Sequence, residues 1–203
     1  MMAPAEDLIP RTTGTDSVKP ICLLISGGAG TGKSTIALLS TYFFRERIGE
    51  TAALSTDEFY RMFDPHWTST NRDWWRLAWE HCLSSARWLF QNGVRMVVIE
   101  GNGLYSQDQV DGVLKAVGPL ATVYHVTLDA TLEVATERLR QRGDLERHPP
   151  DFVSGWLEFI KEHHYSWTHM IDNSTQTPEE TLEEIFQYIT TAPGLLIEHL
   201  PDR

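Results

Sequence analysis

The sequence predicts an α/β protein, a three-layer, doubly wound parallel sheet with helices on both faces and a helical lid. Three observations predict it. Short apolar runs, suited to strands buried on both faces, alternate with segments of helical periodicity. The first run leads directly into a glycine-rich turn, Gly27-Gly-Ala-Gly-Thr-Gly-Lys-Ser34, and then an amphipathic stretch. The 203 residues, 41% hydrophobic and 22% charged, are enough for one sizeable core and too few for a second.

Residues 1–18 are polar and rich in Pro, Thr and Asp, the composition of a loose arm, so a single domain is expected over 19–203. Ile21–Ile25 reads as a buried parallel strand and Thr51–Ser55 as a weaker one. Arg95–Glu100 and Ala121–Leu128 are stronger, because β-branched residues dominate them. Helical patterns cover Lys33 to Arg47, Arg72 to Gln91, Gln107 to Val117 and Leu132 to Arg142. A last helix starts at Pro178, where Thr177-Pro-Glu-Glu180 combines a Thr cap, a first-position Pro and a Glu at the third position. Repeated strand–helix units gather ligands at the carboxyl ends of the strands.

Seventeen basic against 28 acidic residues leave a formal charge of −11. So acidic a chain is unsuited to tracking a nucleic-acid backbone, and no nucleic-acid partner is expected. Cys22 and Cys82 are too few for a disulfide framework and lie in apolar runs, as reduced core thiols do. No run approaches 18 apolar residues and the start lacks a basic, apolar leader. The expectation is therefore a cytoplasmic protein with no membrane partner.

Positions 27, 32, 33 and 34 satisfy the phosphate-loop pattern G-x-x-x-x-G-K-[ST]. Glycines let the backbone N–H groups of Gly28, Ala29, Gly30, Thr31 and Gly32 close around a phosphate, with Ser34 and Thr35 opening the helix. Lys33 reaches the β and γ oxygens, and the Ser34 hydroxyl is a ligand for Mg²⁺. No lysine follows an asparagine and no Asp-x-x-Gly occurs, so the elements of a GTPase are absent. A kinase of small molecules or nucleotides fits best.

Asp57 follows the second strand, across the cleft from the loop. A carboxylate there orients an acceptor hydroxyl and takes its proton; the lesser alternative is Thr56 or Asp57 as the cap of a helix running through Arg61. Glu100 ends the third strand before Gly101-Asn102-Gly103 and could bind Mg²⁺ through water, bind the acceptor or act as base. Arg61 is either an acceptor anchor or a surface cation. Acceptor contacts are assigned to Asp57, Tyr60, Arg61, Trp75, Glu100, Asn102 and Arg147.

Residues 138–148 carry four arginines against two acids, a local excess of +2 on an acidic chain. Arg138 and Arg142 are four apart and share a helix face, as arginines that clamp phosphates from a lid over about 138–152 would. Arg140 pairs naturally with Glu137 on the surface. Five of seven tryptophans, Trp67, Trp74, Trp75, Trp79 and Trp88, fall within 22 residues. Most would be core; the rest, with Arg72 or Arg76, would suit a ringed or sugar-like acceptor, including an anionic one. The histidines, among them His163, His164 and His169, lack a zinc spacing and read as structural.

With these residues the chain resembles the small P-loop kinases of the nucleoside-monophosphate-kinase-like group. Within that group it is most similar to the zeta-toxin and chloramphenicol-phosphotransferase-like branch. The resemblance rests on Gly27–Ser34, Thr56-Asp-Glu-Phe-Tyr-Arg61, Val98-Ile-Glu-Gly101, Arg138 and Arg142; the Asp172-Asn-Ser…Pro178-Glu-Glu ending is shared with shikimate and gluconate kinases. It implies ATP as donor, Mg²⁺, Asp57 as base, lid arginines on the phosphates and a small hydroxyl-bearing acceptor, in a monomer or homodimer. A nucleotide-activated amino sugar is one acceptor the resemblance implies. A nucleotide-sensing switch without turnover is the alternative outside enzymes.

Overall fold

The computed structural model describes residues 19–66, 72–101, 107–163, 168–192 and 194; the expected arm at 1–18 lies outside them. Strands β1 (Ile21–Gly27), β2 (Thr51–Ser55), β3 (Met96–Glu100), β4 (Thr122–Asp129) and β5 (His169–Asp172) form one wholly parallel sheet in the order β2-β3-β1-β4-β5. The helices are α1 (Lys33–Arg45), α2 (Thr56–Arg61), α3 (Arg72–Gln91), α4 (Gln107–Val117), α5 (Leu132–Arg142), α6 (Pro150–Glu162) and α7 (Pro178–Thr191).

Strand β1 is central because its uninterrupted apolar run satisfies both faces of the sheet at once. Cys22 and Leu24 join Val97, Ile99 and Val123 beneath α3 and α4. Leu23 and Ile25 join Met96, Val98, Val126 and Leu128 beneath α1 and α7. The weaker run, β2, takes an edge and is only partly buried. Both cysteines are free and buried, and burial pushes each thiol up to about 12, so they serve as small core side chains. Among the described residues, no helix is long and apolar enough to cross a membrane.

The chain leaves β1 for the α1 face, and leaves its neighbour β3 for the α4 face. Strand order reverses between these two strands, which opens a crevice at their carboxyl ends. The loop after Gly27 and the acid Glu100 stand there.

Two elements differ from the sequence expectation. Helix α6 occupies a stretch that Pro149 and Pro150 mark only as a stiff turn; Pro150 is instead its first residue, where a missing N–H costs nothing. Val153, Leu157 and Ile160 form its buried face. Strand β5, His-Met-Ile-Asp, has no apolar run of its own, and pairing from Val126↔His169 to Asp129↔Asp172 makes it a strand.

The helix caps are local. Ser55 Oγ accepts from the Glu58 N–H (3.3 Å), so the α2 cap is Ser55 and not the expected Thr56 or Asp57, which leaves the Asp57 carboxylate for other work. At α7, Thr177 Oγ1 accepts from the Glu180 N–H (3.2 Å) while Glu180 Oε2 accepts from the Thr177 N–H (2.8 Å). Replacing Thr177 by Ala removes this reciprocal pair and is expected to cost about 1 kcal/mol. A thermal melt should then fall by roughly 2–4 °C for a domain of this size.

Candidate active site

The loop after β1 approaches its neighbours so closely that side chains are excluded. A Cβ on Gly27 would lie 2.5 Å from the Leu128 carbonyl oxygen. Gly30 has φ +80°, and a Cβ there would collide with the Ala135 carbonyl of α5. Gly28 lies under Leu157 of α6, and Ala29 packs on the small core of α5 and α6. The fully buried Thr31 donates through Oγ1 to the Gly28 carbonyl (2.9 Å), and Lys33 Nζ donates to the same oxygen (2.9 Å).

On one side of this loop lies a cleft of about 250 Å³, lined by Ser34, Leu54, Asp57, Arg61 and Glu100 among others. Glu100 is in register with Ile25 and Ser55 and is buried; its Oε2 accepts from Ser34 Oγ (3.3 Å). Asp57 sits in the first turn of α2, and its Oδ1 is buried with no hydrogen-bond partner among the described residues. Burial, and next the charge of Glu100, push its carboxyl up to about 6, against the pull of Lys33 and Arg61. Burial likewise lowers Lys33, opposed by Asp57 and Glu100. Lys33, Asp57 and Glu100 are therefore one electrostatic cluster. Arg61 pairs with Glu58 (3.1 Å) at the rim.

On the other side is a cavity of about 310 Å³ bounded by Gly30, Gly32, Thr35, Arg138, Arg142 and Asn173, with Gln176 and Pro178. Arg138 donates through Nη1 to Asn173 Oδ1 and through Nη2 to the Asn173 carbonyl (both 2.9 Å). Asn173 Nδ2 in turn donates to the Thr31 carbonyl (2.8 Å). This residue, 3% exposed, ties the arginine helix to the loop. Sequence reasoning missed it, and its only signal was its place in the Asp-Asn-Ser stretch after β5. Arg142 lines the same cavity and pairs with Asp144 (3.1 Å). Arg147 is exposed in the turn between α5 and α6, and Arg140 pairs with Glu137 on the surface.

His148 stands beside Arg147 in the turn between α5 and α6. Its Nδ1 is buried with no hydrogen-bond partner among the described residues, and burial, Arg147, Arg142 and Lys33 lower its pKa against Asp144.

Tyr60 departs from its expected acceptor role. It is fully buried, and its ring stacks on Trp75 at 4.2 Å and 24°, joining α2 to α3. Trp75 lines a separate cavity between α3 and α4 instead of the Asp57 cleft. Asn102, Trp67, His164 and the side chain of Arg72 lie outside the described residues. His163 stacks on Phe159, and His169 stands 3.4 Å from Glu184, both structural contacts. No group of three or more metal-ligating side chains occurs among the described residues.

No family model and no curated protein matches the chain. Solved structures do. The chain is similar to the shikimate kinase of Acinetobacter baumannii in complex with shikimate, at 16% identity and a TM-score of 0.59 over 86% of this chain and 94% of that one. It is similar to the Deinococcus radiodurans tunicamycin resistance protein at 19% identity and 0.59, over 88% and 99% of the two chains. A gluconokinase from Sinorhizobium meliloti 1021 matches at 17% and 0.55, over 86% and 99%. At such identities the likeness establishes the fold, the parallel α/β fold of P-loop kinases.

The raised Asp57 has a consequence for stability. Between the unfolded value near 4 and the folded value of about 6, the native state holds a proton that the unfolded chain has released. Stability from this group is full below about pH 4 and is lost as pH rises through 6. Asp57→Asn removes the ionisation and should be more stable than wild type at pH 8, by about 2–3 kcal/mol, with no gain at pH 4. Paired thermal melts at the two pH values check this.

Proposed function

We propose that the chain is an ATP-dependent phosphotransferase that moves the γ-phosphoryl group to a hydroxyl of a small molecule. One observation carries the reading: a buried carboxylate without a hydrogen-bond partner among the described residues, Asp57, shares a cluster with the lysine of a phosphate loop whose far side opens on an arginine-lined cavity. A switch that only binds nucleotide has no use for a carboxyl held at such cost. A general base poised near neutrality does.

In this reading the base and sugar of ATP occupy the cavity beside Arg138 and Pro178, and the triphosphate runs through the loop to the Asp57 cleft. The cradle fits the group: carbonyls leave no room for a Cβ at Gly27 and Gly30, so the loop backbone can face a ligand closely. Ser34 and Glu100 fit Mg²⁺, which takes one or two oxygen ligands from protein and the rest from phosphate and water. Bound there, the ion would offset charge on the phosphates. Asp57 takes the acceptor's proton as the hydroxyl oxygen bonds to the γ-phosphorus. The bond from that phosphorus to the bridging oxygen breaks, and its electron pair leaves with ADP. Lys33, Arg138 and Arg142 balance the negative charge of the migrating group. The likenesses to a shikimate kinase and a gluconokinase support this class of reaction; the zeta-toxin-like reading remains a finer version of it.

Asp57→Asn should lower ADP formation in the presence of an acceptor by roughly 10²–10⁴-fold while ATP binding by calorimetry stays within a few-fold of wild type. Full turnover in the variant rejects the assignment. Asn173→Ala cuts the tie between Arg138 and the loop, and should weaken ATP binding about five- to tenfold. An unchanged Kd would show that Arg138 is held in place by other means.

A further inference from the structure

The cavity on the arginine side of the loop contains a side-chain amide whose orientation is fixed. Gln176 lines it, two residues before Pro178 and just ahead of α7. Its Nε2 donates to Glu184 Oε2 (2.7 Å), and its Oε1 accepts from Thr181 Oγ1 (2.9 Å). Thr181 and Glu184 are three apart on α7 and share a face, so one rigid helix holds both anchors.

The polarity of this amide is forced. An ionised carboxylate accepts hydrogen bonds and cannot donate one, so the NH₂ end must face Glu184 and the carbonyl end must face Thr181. A primary amide has two N–H donors and two lone pairs, and α7 takes one of each. The remaining N–H and lone pair have no partner among the described residues, on a residue that lines the cavity.

The neighbouring groups are committed elsewhere. Asn173 holds Arg138 and the Thr31 carbonyl, and Gln141 donates to Glu137. Among the described residues lining the cavity, the charged ones are Arg138 and Arg142, and none is an acid.

Purines of one shape differ in polarity at atoms 6 and 1. Adenine offers an amino donor and then a ring-nitrogen acceptor; hypoxanthine and guanine offer a carbonyl acceptor and then an N–H donor. An amide that cannot turn over matches one order and opposes the other. The cavity has no carboxylate to take the N–H groups of guanine or hypoxanthine, which favours adenine.

We infer that Gln176 selects adenine in the donor nucleotide, and that Glu184, which does not line the cavity, sets the choice by fixing which way the amide points. Glu184 is thus a positioning residue. The inference deepens the kinase reading and rests on its seating of the base beside Arg138 and Pro178.

The test is calorimetric titration, in the presence of Mg²⁺ and without acceptor, with ATP and with inosine triphosphate (ITP), which differ at atoms 6 and 1 alone. The wild type should bind ATP about tenfold more tightly than ITP. Gln176→Leu should weaken ATP to the level of ITP and leave ITP within about twofold. In Glu184→Gln, the amide at 184 can donate as well as accept, so Gln176 can turn over. Thr181 Oγ1 then accepts from Gln176 and passes its own proton to the Thr177 carbonyl, 3.1 Å away. ITP binding should rise about threefold or more in this variant, with little change in melting temperature. A damaged site does not gain affinity, so the gain separates control of polarity from a merely structural role. Should Glu184→Gln fail to fold, the Gln176→Leu comparison decides. Equal ATP and ITP affinity in the wild type, an unchanged ratio in Gln176→Leu, or no ITP gain in folded Glu184→Gln each overturns the inference and leaves the nucleotide reading standing. Absence of binding by both nucleotides overturns the two together.

Discussion

The close approach of one loop to the backbone of its neighbours is the constraint on which the site depends. Residues 27–31 run against the Leu128 and Ala135 carbonyls with room only for hydrogen at Gly27 and Gly30. That proximity lets Asn173 reach the Thr31 carbonyl and hold Arg138 at the same time. It also seats α6 on Gly28 through Leu157. A single added methyl at Gly30 would push the loop from α5 and disturb the arginine and the loop together.

The loop is also a divider. Its outer side meets arginines and a proline; its inner side meets two carboxylates and the buried end of Lys33. The proposed reaction would use the two sides differently, the arginines for an anionic donor and a carboxylate for the proton of the incoming hydroxyl. Keeping Asp57 without a hydrogen-bond partner among the described residues has a cost in folding stability, which is the feature the proposed general base rests on. The Ser55 cap contributes to this by removing the usual reason for an acid at a helix start.

The chain's acidity is distributed with purpose. Against an overall charge of −11, residues 138–148 hold four arginines against two acids, and Arg138 and Arg142 at the end of α5 line the cavity beside the loop. The stack of Tyr60 on Trp75 fastens α2, which carries Asp57, to α3.

Local chemistry determined much of this from the sequence alone. A continuous apolar run can be satisfied only between two helical layers, so β1, β3 and β4 were legible, as was the capping box of α7. The phosphate loop was legible because its glycines and Lys33 answer to one local geometry. Tertiary structure decided the remainder. Strand β5 exists because β4 offers it hydrogen bonds, and α6 because a small core beside the loop receives Val153 and Leu157. Tyr60 reads as a site residue from its place beside Asp57, yet one helical turn directs it into the core. Asn173 and the α3–α4 cavity are built from residues far apart in the chain, so they come into being only when the sheet brings those residues together. Spacing along a chain encodes contacts within a helix, a strand or a turn; the meeting of separate elements is set by how their surfaces pack.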